Sequence, residues 1–121
     1  MKKLLASLLL MIGTQAMAIE LISAQDLLTQ IQANKAPVIL DVRSANEYNN
    51  GHVPGAMHIP HSEISAQIDK LAAYKDKTLV VYCRSGYRAG IAENELSQRG
   101  FKLLHLEGDW QGWQAAALPS E

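Results

Sequence analysis

The stretch Thr78-Leu79-Val80-Val81-Tyr82-Cys83-Arg84-Ser85-Gly86-Tyr87-Arg88 decides how this chain is read. Its first five residues are β-branched or apolar, the composition of a buried strand. Its last six form a loop that opens a helix: Ala89–Arg99 has helical spacing, with Ile91 and Leu96 among polar residues, and Gly100 ends it. Cys83, the one cysteine in 121 residues, stands at the junction. A thiol there faces the unpaired N–H groups of the loop and first helical turn, at the positive end of the helix dipole. Arg84 and Arg88 add two cations. All three effects favour thiolate over thiol and mark Cys83 as a nucleophile. The plainer alternative, a buried structural cysteine, is the commoner fate of a lone Cys. Two arginines and a glycine in the same loop weigh against it.

Outward from this unit, strand-like and helix-like segments alternate, which predicts an α/β domain with a mostly parallel central sheet flanked by helices. Ile19–Ile22 is a first strand, and Ser23 caps an amphipathic helix through about Gln32. Val38-Ile39-Leu40 is a buried strand closing at Asp41-Val42-Arg43. Ser44-Ala45-Asn46-Glu47 reads as a capping box opening one or two helical turns. A turn at Gly51–Gly55, a short strand at Ala56–Ile59 and a helix over Ser65–Tyr74 follow. Lys102–Leu106 is a last strand and Trp110–Ala117 a terminal helix, with Trp110 and Trp113 closing the core. In such sheets ligands gather at the carboxyl ends of the strands. Three chemically loaded segments fall there: Asp41-Val42-Arg43, Cys83–Arg88 and Glu107-Gly108-Asp109.

The N-terminus reads as a cleaved secretory signal over residues 1–18. Lys2-Lys3 supply its charge, Leu4–Ile12 its apolar core and Ala16-Met17-Ala18 its small-x-small cleavage site. The apolar core is far short of the roughly 20 residues of a transmembrane helix. The expectation is therefore a periplasmic protein of one domain, 19–121, with no stable membrane association after cleavage. Loss of two lysines and no acid takes the net charge from −1 to −3, which argues against nucleic acid as a partner. With no second cysteine to resolve a mixed disulfide, a thiol–disulfide oxidoreductase is effectively excluded.

Three elements together resemble the rhodanese-like (sulfurtransferase) domain family. They are Asp41-Val42-Arg43 followed by Glu47-Tyr48; Tyr48-x-x-x-His52-Val53-Pro54-Gly55-Ala56-x-x-Ile59; and the loop Cys83–Arg88. The resemblance runs from about Ile22 to Trp113, and the format is similar to small exported thiosulfate sulfurtransferases. One departure is Gly108-Asp109, where many members have Gly-Gly before the terminal tryptophan. The resemblance implies a ping-pong reaction: Cys83 takes a sulfur from a small anionic donor such as thiosulfate, becomes a persulfide, and passes the sulfur to a thiophilic acceptor. Loop N–H groups from Arg84 through Ser85, Gly86 and Tyr87 to Arg88 would stabilise the anion. Arg84 and Arg88 would hold the donor's sulfonate-like end. No cofactor or metal is implied.

The alternative within this resemblance is a sulfur carrier or interaction module with little turnover. Related phosphatases and arsenate reductases have the loop arginine six residues after the cysteine. Here Arg88 is five after Cys83, and the tighter loop suits one sulfur atom better than a tetrahedral phosphate. Asp41 is expected to support the loop, and Arg43 either to support it or to contribute charge. Tyr87 should point outward, and Ser85 either bonds the sulfur or suits the turn. His52 reads as a turn histidine bonded to backbone, and His58 and His61 lack the partners a metal site needs. Nothing indicates other than a monomer.

Overall fold

The computed structural model describes residues 19–121; the leader expected over 1–18 lies outside the described residues. Five strands form one parallel sheet in the order β1-β5-β4-β2-β3. They are β1 (Glu20–Ile22), β2 (Val38–Asp41), β3 (Met57–His58), β4 (Thr78–Tyr82) and β5 (Lys102–Leu106). Between and after them run α1 (Ala24–Gln32), α2 (Ala45–Asn49), α3 (Tyr87–Gln98) and α4 (Asp109–Ala115). A 3-10 turn at His61–Glu63 and a 3-10 helix at Ile68–Tyr74 join β3 to β4.

The two-residue side-chain period of a strand divides the core into two layers. Leu79, Val81 and Cys83 face α3 and the 3-10 helix, packing with Leu40, Val42, Ile64, Leu71 and Leu96. Val80 and Tyr82 face the opposite way, onto α1 and α4, with Leu27, Leu28, Leu106 and Trp113. Helices therefore cover both faces of the central strands, as parallel sheets require. Ser23 caps α1 through the amide of Asp26, and Ser44 with Glu47 forms the reciprocal capping box of α2.

Three local expectations are corrected. The segment expected as a helix over 65–74 is a 3-10 helix confined to Ile68–Tyr74. Ile68 and Leu71 are three apart, the period of a 3-10 turn, so they stack on one side. Helix α3 starts at Tyr87 instead of Ala89, which shortens the connecting loop to Cys83–Gly86. Ile91 is 44% exposed. The buried face of α3 is Ala89, Ala92, Glu93 and Leu96, and position 91 is rotated off that stripe.

Candidate active site

The loop after β4 turns into α3 at Gly86, whose φ of +116° is a left-handed value that a side chain would strain. That turn aims the Gly86 amide back at the cysteine, where it donates to Cys83 Sγ at 3.0 Å. Cys83 itself is buried at 1% exposure. Arg84, Ser85 and Tyr87 are exposed, Tyr87 to 80%, so the loop presents its side chains to solvent and its backbone to the sulfur.

Helix α4 closes the loop from the other side. The amides of Trp110 and Gln111, which a helix start leaves without partners, donate to the carbonyls of Cys83 and Arg84 at 2.9 and 3.1 Å. The Cys83 amide donates to Asp109 Oδ1 at 3.0 Å. Asp109 Oδ2 accepts from His105 Nε2 at 2.9 Å, and His105 Nδ1 bonds Glu93 Oε2. The Asp109 bond first, then that of Glu93, pushes His105 up to about 10 from an ordinary 6.5, so it is an imidazolium between two carboxylates. Neither His105 nor Glu93 stood out in the sequence. Asp109 did so only as part of a charged segment, and its departure from Gly-Gly was the available signal.

Arg88 lies in the first turn of α3, where a cation opposes the helix dipole. Glu47 compensates through a two-pronged pair, 2.7 Å to Nη1 and 3.0 Å to Nη2. The guanidinium ties α2 to α3, with 27% of its side chain still exposed. Arg88 above all, and the Ser44 cap, hold the Glu47 carboxyl at about 2, against 4.5 ordinarily.

Asp41 and Arg43 meet fully inside. Arg43 donates through its backbone amide, Nε and Nη2 to the Asp41 carboxylate, and Nη2 also reaches the Gly51 carbonyl at 2.7 Å. Tyr82 donates its hydroxyl to Asp41 Oδ2 at 2.6 Å and accepts from the Val53 amide. The Arg43 guanidinium lies 4.7 Å from the Trp110 ring centre. Through these contacts Arg43 links the end of β2 to the turn at Gly51 and to Trp110 of α4. His52 is bonded to the Tyr48 carbonyl and stacks on the Tyr48 ring, as a turn residue. Among the described residues no group of three His, Cys, Asp or Glu side chains is arranged to hold a metal ion.

The two displaced groups give stability a defined pH window. Glu47 is depressed, so its contribution is full above about 4.5 and is lost as pH falls toward 2. His105 is raised, so its contribution is full below 6.5 and is lost as pH rises toward 10. Urea midpoints are expected to be level between those limits and to fall on both sides. Glu47→Gln should flatten the acid limb and His105→Gln the alkaline limb. An alkaline limb unchanged in His105→Gln contradicts the assignment.

A family model for the rhodanese-like domain matches residues 23–116. A putative sulfurtransferase of Bacillus subtilis, YtwF, is 34% identical over 103 residues, covering 85% of this chain and 98% of its own. The thiosulfate sulfurtransferase GlpE of Shewanella oneidensis is 32% identical over 90 residues, 74% of this chain and 87% of its own. Among solved structures, a rhodanese-related protein of Thermoplasma volcanium superposes with a TM-score of 0.73 at 32% identity, covering 84% of this chain and 97% of its own.

Proposed function

The chain belongs to the rhodanese-like domain family of sulfurtransferases, and from that premise we propose that it transfers sulfane sulfur from thiosulfate through a persulfide on Cys83. The observation that carries the reading is the Gly86 amide 3.0 Å from the Cys83 sulfur, in a loop that carries Arg84 and leads into Arg88 of α3. The Cys83 thiolate attacks the outer sulfur of thiosulfate. The donor's S–S bond breaks, and sulfite leaves with its electron pair. The negative charge passes to the outer persulfide sulfur, beside the loop amides and the start of α3. Cyanide or a thiolate then attacks that sulfur, the new S–S bond breaks, and the Cys83 thiolate is restored. Every step is a two-electron displacement, so no redox partner enters.

Initial rates over a grid of thiosulfate and cyanide concentrations test this scheme. Parallel double-reciprocal lines are expected. Intersecting lines would contradict a free persulfide enzyme. Arg84, exposed at the rim, meets the donor first, and Arg88 supplies the second cation while still held by Glu47. Arg88→Ala is expected to slow the donor half-reaction by roughly ten- to a hundredfold, the loss of one or two charge-assisted bonds, and the acceptor half-reaction less. Glu47→Gln should free the guanidinium and lower the KM for thiosulfate. Equal losses in both half-reactions for both variants would limit Arg88 to shaping the loop.

We also propose export, from Lys2-Lys3, the apolar run to Ile12 and the Ala16-Met17-Ala18 site. The mature protein should begin at Ile19 and fractionate with the periplasm; an uncut chain in the cytosol contradicts this.

A further inference from the structure

The residue after Gly108 is unusual. Gly108 and Asp109 both have left-handed φ values, +82° and +54°, and Asp109 carries a side chain there. A non-glycine residue in that region is uncommon and costs energy, although Asp is among the residues that tolerate it. What the side chain does in return is specific. One carboxylate oxygen accepts the Cys83 amide. The other lies under the loop, 3.4 Å from where a Cβ on Gly86 would stand, beneath the amide that donates to the sulfur. The same oxygen takes a hydrogen bond from His105, which bonds Glu93 on its far side. Asp109 and Glu93 are buried, and His105 is largely so.

We propose that Asp109 is a positioning residue for Cys83, and that the Glu93–His105–Asp109 chain sets how readily the cysteine sulfur carries negative charge. The proposal rests on the reading of Cys83 as the persulfide carrier. The bond to the Cys83 amide fixes the start of the loop, while the packing against Gly86 fixes its end. The charges matter because a carboxylate this close disfavours an anion on the sulfur unless it is balanced. The groups facing His105 are Glu93 from α3 and Asp109 from α4, with Cys83 next along through Asp109. With His105 protonated, the chain carries a net charge of minus one.

Charge-changing variants separate this role from a merely structural one. His105→Gln leaves two carboxylates unbalanced. Asp109→Asn keeps an acceptor for the Cys83 amide and leaves Glu93 and His105 neutral as a pair. The double variant returns the chain to minus one. Because Cys83 is the one cysteine in the sequence, the rate of its alkylation by iodoacetamide against pH, followed by intact mass, reports on its thiolate alone. The thiolate fraction on the rising limb is expected to fall about tenfold in His105→Gln, to rise in Asp109→Asn, and to return near wild type in the double variant. Persulfide formation from thiosulfate should follow the same order. Profiles that coincide in all four proteins, or a double variant worse than either single, would overturn the proposal. Profiles that move in the expected order while wild type gains no sulfur would leave it standing and defeat the sulfur-transfer reading instead.

Discussion

Cys83→Ser is expected to lower thiosulfate:cyanide sulfur transfer by about a thousandfold or more, to the background of the assay, while leaving the fold intact. An oxygen in place of the sulfur is a poor nucleophile toward a sulfur centre and forms no persulfide. The structural cost is small for a particular reason. The position is buried, and its sulfur already accepts the Gly86 amide, so a serine hydroxyl inherits that bond. Urea unfolding should therefore shift by no more than about 1 kcal/mol. Cys83→Ala makes the useful contrast: equally inactive, but less stable, because it leaves the Gly86 amide without its acceptor. Activity within a few-fold of wild type in Cys83→Ser would remove the sulfur from the mechanism.

The second large effect is on stability. Asp41→Ala is expected to cost about 3–5 kcal/mol, because it strands the Arg43 guanidinium at 2% exposure and removes the acceptor of the Tyr82 hydroxyl. Burial, the larger of the effects that hold that phenol above its ordinary pKa, remains when Asp41 is removed, so the phenol does not adapt by ionising. A domain of this size is held by only about 5–15 kcal/mol, so the loss is a large share of the whole. Replacing both partners with apolar residues, Asp41→Leu with Arg43→Met, should cost less than Asp41→Ala alone, since no charge is left buried. Urea denaturation of the three variants checks this. A cost below about 1 kcal/mol for Asp41→Ala would mean that water reaches Arg43.

The local grammar of the chain was legible where neighbours in sequence determine structure. The strand before Cys83, the helix after Ser23, the Ser44–Glu47 capping box and the strand Lys102–Leu106 all form where their patterns place them. The site was legible as three segments at one sheet edge, and contacts join them: Asp109 reaches Cys83, and Arg43 lies over Trp110. What stayed hidden were pairings between distant positions. Glu47 reads as a helix cap and is one, but its second task, holding Arg88 forty-one residues away, leaves no trace in a local pattern. His105 looks like one polar residue in a strand until the fold sets Glu93 on one side of it and Asp109 on the other. The short spacing of Ile68 and Leu71 fits both kinds of helix, and the chain takes the tighter one.

Intact mass of the protein after incubation with thiosulfate, then with cyanide, with Cys83→Ser treated in parallel, tests the central claim most directly. A gain of one sulfur is expected, which cyanide removes and which the serine variant never acquires. A stable adduct that cyanide leaves in place would instead describe a sulfur carrier that discharges to its own partner. No adduct from thiosulfate or from polysulfide, or an equal adduct on Cys83→Ser, would contradict the persulfide on Cys83 outright.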